Sequence, residues 1–202
     1  MRPTSFLVAL LSGPILFAQA APSKEELKVR EMLAKDKPYK AISTCDHMIG
    51  SQHRNEFLAL RAQGLNMIAA YDRAETDARR ALAAFPGDVP SLHQLAIAEL
   101  GLGKTDSAAI HFQRVLRTDR SRDVRYRMAL TYQKQHNYRD ALMQLDQALV
   151  EGAKDGPDAA KYHRVKGECL SMRNDSVLAR IEYDKALALS PRDQVTLNSR
   201  GG

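Results

Sequence analysis

The chain has 202 residues, 44% hydrophobic and 27% charged, the balance of an ordinary soluble globular protein and not of a biased or low-complexity one. Its formal charge of +6, from 30 Lys and Arg against 24 Asp and Glu, is a modest excess that tilts the surface slightly toward acidic partners.

Residues 1–20 stand apart from the rest. Arg2 supplies a positive charge, Phe6 to Leu11 and Ile15 to Phe17 supply an apolar stretch, and Ala18-Gln19-Ala20 gives the small-x-small pattern of a signal-peptidase site. The apolar run is too short to span a bilayer well, and Ser12-Gly13-Pro14 weakens it as a helix. Cleavage is expected after Ala20, leaving an exported chain, periplasmic or secreted, without stable membrane insertion. Nucleic acid is then a poor partner.

Helix-periodic segments fill the remainder. Ser23 is the expected N-cap of the first, with Glu25 and Glu26 in its first turn and Leu27, Val29, Met32 and Leu33 as its apolar stripe. After Asp36-Lys37-Pro38 a return helix runs from Tyr39 to Ile49, with Gly50 as its expected stop. A second hairpin opens near Asn55, turns near Ala70-Tyr71-Asp72 and returns from Ala74 to Phe85. Asp88 is expected to cap the next helix, with Pro90 in its first turn. Gly101 and Gly103 mark the third turn, before a helix from Ser107 to Leu116. The fourth hairpin takes Val124 to Gln135 and Tyr138 to Val150, and a long connector, Glu151 to Pro157, follows. The fifth runs from Asp158 to Met172 and from Ser176 to Leu189. The tail from Gln194 is expected to form one or two helical turns. Nothing reads as strand-rich.

One residue recurs through these segments. Ala41, Ala74, Ala108, Ala141 and Ala179 are spaced by 33, 34, 33 and 38 residues. A period near 34 is the mark of stacked helical hairpins. In the second helices Ala74 travels with Ala78 and Ala81, Ala108 with Phe112 and Val115, Ala141 with Leu145 and Ala148, and Ala179 with Tyr183 and Ala186. Twelve positions before the first alanine stands a small residue: Ala62, Ala96, Ala129 or Gly167. Tyr71 and Tyr138 fall three before it, and Pro86 and Pro191 twelve after it. Small side chains let two antiparallel helices approach closely while larger neighbours interdigitate.

On these residues the chain resembles the tetratricopeptide repeat proteins over about residues 22–193. The fold expected is all-α, a right-handed α-solenoid of about five repeats near 22–54, 55–88, 89–121, 122–157 and 158–193, with a short tail at 194–202. The first repeat departs most from the pattern, with Val29, Cys45 and Met48 in the small, aromatic and alanine positions. Arg61 and Lys166 stand where the family usually has leucine.

The resemblance implies that the first helices of the repeats line a concave groove, with one stripe of each facing a ligand. That stripe contains Gln63 and Asn66, then His93, Gln94 and Ile97, then Tyr126, Arg127 and Leu130, then Lys161, Arg164 and Glu168. Amides, an aromatic ring, cations and some apolar surface suit an extended peptide or partner protein, with Arg127, Lys161 and Arg164 meeting carboxylates. The clamp by which some members hold a C-terminal carboxylate is incomplete here, because Ala59 and Asp123 replace two of its lysines. The function expected is a non-catalytic interaction module. The alternative is a homodimer paired through an exposed C-terminal end, where Leu187 and Leu189 are expected beside Val195 and Leu197.

No chemistry competes with this reading. The six histidines include no His-x-x-x-His pair, His47 and His53 do not share a helical face, and Cys-x-x-Cys is absent, so neither a metal nor another cofactor is implied. Cys169 and His163 lie six apart on one helix without an orienting carboxylate. Of the arginines at 114, 117, 120, 122, 125 and 127, only Arg127 is assigned to the groove, and the others read as solvated. Cys45 and Cys169 fall in the first and fifth repeats, too far apart for a disulfide.

Overall fold

The computed structural model describes residues 21–52, 56–150 and 157–201. Residues 1–20, read above as an export signal, and His53, Asn55 and the connector residues 151–156 lie outside that range.

Among the described residues there are helices and no strands. Five hairpins follow one another: α1 (Lys24–Ala34) with α2 (Pro38–Gln52), α3 (Phe57–Met67) with α4 (Tyr71–Ala84), α5 (Val89–Gly101) with α6 (Thr105–Leu116), α7 (Arg122–Lys134) with α8 (Tyr138–Val150), and α9 (Pro157–Met172) with α10 (Ser176–Leu189). A short α11 (Gln194–Gly201) packs on α10. Each helix packs against the one before and the one after it. The odd-numbered helices also touch their counterparts in the next hairpin, which the even-numbered ones do not do to the same extent. The odd helices therefore form the inner wall of an α-solenoid and the even helices its outer wall.

The recurring alanines sit at the crossings. Ala41, Ala74, Ala108 and Ala141 are wholly buried, and Ala179 nearly so. Ala62, Ala96 and Ala129 face them, also wholly buried. At Gly167 a methyl group would lie 2.5 Å from the ring of Tyr183, and at Gly101 one would lie 2.6 Å from the ring of Tyr71. Four apolar clusters follow one another along the stack from Val29 to Tyr183, so the core is a strip between hairpins.

Each hairpin turns in the same way. Asp36, Ala69, Gly103, His136 and Asn174 all adopt positive φ, between 53° and 76°. The residue after each closes the helix end by donating its N–H to a carbonyl five back, as from Lys37 to Met32 and from Ala70 to Leu65, both at 2.9 Å. This is the Schellman ending of a helix. The spacing of these turn residues repeats that of the alanines.

The N-terminal signals act as expected. Ser23 and Glu26 form a reciprocal capping box on α1, and Asp88 accepts the Ser91 N–H at 2.9 Å at the start of α5. Other expectations are corrected. Gly50 does not stop its helix; α2 continues to Gln52, because the glycine is exposed and nothing competes with the helical hydrogen bonds there. Leu27 is about half exposed and not part of the α1 core. The second turn lies at Ile68 and Ala69, so α4 begins at Tyr71 and α6 likewise begins early, at Thr105. Leu187 and Leu189 are half-buried, while Val195 and Leu197 are exposed.

The two unusual cations in the first helices are answered across their hairpins. Arg61 donates two bonds to Asp77, at 2.6 and 2.7 Å, and a third to Asp46 of α2 at 2.6 Å. Lys166 lies 2.7 Å from Asp146 and 3.3 Å from Glu182. Charge replaces leucine where an acid stands opposite. Cys45 and Cys169 are both buried free thiols, and burial pushes each up to about 12.

Candidate functional site

The inner wall carries a cleft of about 640 Å³ between α3, α5 and α7. Helical period determines what faces it. The lining residues share one face of each odd helix, centred about a quarter turn from its crossing alanine, so Gln63 and Asn66 come from α3, His93, Gln94 and Ile97 from α5, and Arg127 and Leu130 from α7. Seven of the eleven stripe residues thus line one cleft. Tyr126, Lys161, Arg164 and Glu168 lie outside it and form a second polar zone between α7 and α9.

Polar contacts fix several of these side chains. Asn66 Nδ2 donates to the Gln94 carbonyl oxygen at 2.9 Å and to Gln94 Oε1 at 3.1 Å, which ties α3 to α5. Its Oδ1 is buried without a hydrogen-bond partner. The His93 ring meets Phe112 edge-on at 6.0 Å. Its Nε2 is also buried and unpartnered, 3.7 Å from Asp123 Oδ2 and so beyond hydrogen-bond reach. Burial lowers the His93 pKa from its ordinary value, and Arg127 adds to the fall although Asp123 opposes it.

In the second zone Tyr126 and Tyr162 stack at a tilt, 5.0 Å between centroids. Lys161 Nζ stands 5.1 and 5.4 Å from the two ring centres and 2.8 Å from Asp158. Glu168 accepts from Gln133 Nε2 at 2.9 Å and pairs with Arg164. Every groove cation of the stripe has a carboxylate of its own, since Arg127 Nε donates to Asp123 Oδ2 at 2.9 Å. Of the other arginines between 114 and 125, Arg114, Arg117 and Arg120 are exposed; Arg125 is half-buried and donates to Gln147 at 2.6 Å.

Sequence reasoning missed the rest of the cleft lining. Asp119 enters from the connector before α7, Lys134 closes the far end, and Met67, Tyr71 and Val89 extend the apolar surface. It also missed two buried glutamates held by histidines on the facing helix. Glu99 is 2.7 Å from His111 Nδ1 and 3.0 Å from Arg79, and Glu182 is 2.6 Å from His163 Nδ1. His163 is thus committed to Glu182, not poised against Cys169. No cluster of three or more His, Cys, Asp or Glu arranged to hold a metal occurs among the described residues. No described helix is long and apolar enough to cross a membrane.

The comparisons with known proteins bear on this architecture. Residues 126–193, hairpins four and five, match the tetratricopeptide repeat family model. No curated protein matches the sequence at a significant level. Among solved structures, MamA (residues 41 to the end) from Desulfovibrio magneticus RS-1 superposes with a TM-score of 0.67 at 17% identity, covering 87% of this chain and 99% of that one. YrrB, described as a tetratricopeptide protein with an unusual peptide-binding site, gives 0.68 at 14% identity, covering 86% and 89%. A thermophilic tetratricopeptide protein of Thermus thermophilus gives 0.67 at 16%, covering 88% and 96%. At such identities the likeness is one of fold. The chain is an α-solenoid with the architecture of tetratricopeptide repeat proteins, and its fourth and fifth hairpins match that family in sequence.

Proposed function

We propose that this chain is an exported, non-catalytic interaction module whose inner wall holds an extended segment of a partner protein. The observation that carries the reading is the cleft itself: seven side chains from three successive first helices converge on it, mixing amides, an imidazole, an ion pair and aliphatic surface. That mixture matches what an extended polypeptide presents, alternating main-chain polar groups with side chains. The similarity to YrrB, a protein described as having a peptide-binding site, supports the same use of the fold. Export rests on the sequence pattern of residues 1–20.

The test is capture from the native exported fraction by the mature chain and by an Arg127→Glu, Arg164→Glu double variant. Both arginines are ion-paired side chains at the groove surface, so reversal is expected to cost at most about 1 kcal/mol of stability per site. Capture should fall while the melting temperature stays within a few degrees. Equal capture by wild type and double variant rejects the groove assignment.

A second reading has its own observation. The last hairpin leaves Val177, Leu178 and Ile181 of α10 and Val195 of α11 exposed. Such a surface at the end of a solenoid supports pairing of two copies. Light scattering over a range of concentrations decides it: a constant monomer mass removes this reading.

A further inference from the structure

We propose that the cleft between α3, α5 and α7 receives a basic side chain, a lysine ammonium or an arginine guanidinium, from the partner segment. This rests on the groove reading above and adds the chemistry of what is held there. The overall charge of +6 and the groove arginines point toward acidic ligands, but the hydrogen-bond inventory points the other way.

The cations are already engaged. Arg127 is bonded to Asp123, Lys161 to Asp158 and Arg164 to Glu168, so at these three an incoming carboxylate must displace one already in place; Lys134, at the far end of the cleft, has no carboxylate partner among the described residues. Several polar atoms, by contrast, lack a partner. The Asn66 amide is oriented by two acceptors, the carbonyl and Oε1 of Gln94, which both require its NH₂ group. Reversing the amide would set oxygen against oxygen. Its Oδ1 is therefore a fixed, buried acceptor without a donor. Nearby, the His93 ring, held edge-on by Phe112, has a buried Nε2 without a hydrogen bond, which is an acceptor in the tautomer that carries its proton on Nδ1. Asp119 lines the same cleft. Its carboxylate accepts the Ser121 N–H at 2.9 Å, and it forms no ion pair among the described residues.

A lysine or arginine head group carries three or five donors and no acceptor, which is what these groups lack. Leaving a buried acceptor unmade is costly, so the gain falls on ligands that bring donors. Val89, Ile97 and Leu130 line the cleft as apolar cover for the aliphatic stem of such a side chain. Lys134 lies at the other end of α7 from Asp123, about 16 Å along the axis, so it does not occupy the acceptor end.

The test uses the full chain, immobilised, with a degenerate octapeptide library as the probe. Bound peptides are sequenced at physiological salt. Lys and Arg should be enriched over Asp and Glu by about tenfold at one position, the worth of one set of charge-assisted hydrogen bonds. Asn66→Leu and Asp119→Asn should each bring that ratio toward unity. Asp119→Asn keeps an oxygen for the Ser121 N–H, so it reports on charge without disturbing the loop. Free N-acetyl-lysine methylamide should compete only weakly. Enrichment of acidic peptides, or basic enrichment unchanged in both variants, overturns the proposal, as does competition by the free amine as strong as that by peptides. Acidic enrichment that is lost in Arg127→Glu would sink this proposal and leave the groove reading standing.

Discussion

His163 Nδ1 lies 2.6 Å from a Glu182 carboxylate oxygen inside the last hairpin, where Glu182 is only 5% exposed. Burial alone pushes that carboxyl up. The His163 hydrogen bond, a bond from Lys185 and the charge of Lys166 outweigh burial and bring it down to about 2. A carboxyl whose pKa is lower folded than unfolded adds stability above its unfolded pKa. That stability disappears as pH falls through the folded value. Glu182 is therefore expected to contribute on the order of 3 kcal/mol at pH 7, lost between about pH 4.5 and pH 2. Urea midpoints for wild type and Glu182→Gln should differ clearly at pH 7 and converge at acid pH. A gap independent of pH would contradict the pairing.

Two glycine substitutions are expected to act with opposite sign. At Gly167 a methyl group would lie 2.5 Å from the buried Tyr183 ring, so Gly167→Ala should destabilise by about 1–3 kcal/mol through overpacking. At Gly50 nothing lies within 4 Å and the residue is exposed within α2, so Gly50→Ala should stabilise by about 0.5–1 kcal/mol. Denaturation curves of the two variants check both signs.

Ala69 holds φ at 56°, a conformation that costs an alanine about 1–2 kcal/mol. Ala69→Gly should raise stability by up to about 1 kcal/mol, the gain being offset in part by glycine's greater freedom when unfolded. A loss of stability would show that the methyl group makes a contact worth more than the strain.

Cys45 and Cys169 are wholly buried, and each thiol is pushed up to about 12. Neither should react with a thiol reagent in the native protein at pH 8, and both should react in denaturant. Peptide mapping without reductant should return both as free thiols.

What the sequence makes legible follows from what each position demands. A crossing of two close helices demands a small side chain, and alanine or glycine there leaves a mark that recurs at Ala74, Ala108, Ala141 and Ala179. A Schellman turn demands only positive φ. Gly103 and Asn174 advertise it, whereas Ala69 adopts it without a residue-type signature, so sequence alone places the second turn about two residues late. Gly50 misleads because an exposed glycine ends a helix only if the chain beyond it has somewhere better to go. Arg61 and Lys166 stand out as departures. Their partners Asp77 and Glu182 stand sixteen residues on, one on each facing helix, and acids at that offset were the available signal. The inward stripe can be placed by helical period, but the open Asn66 oxygen cannot. It depends on how Gln94 orients the amide, which only coordinates reveal.

The most direct test of the inner-wall assignment is site-specific photocrosslinking in the native host cell. A photoreactive phenylalanine replaces either Ile97, in the cleft, or Ile110, 58% exposed on the outer wall. A discrete heavier adduct should form from position 97 and be absent from position 110. Adducts of equal yield from both positions, or from position 110 alone, would contradict binding at the inner wall.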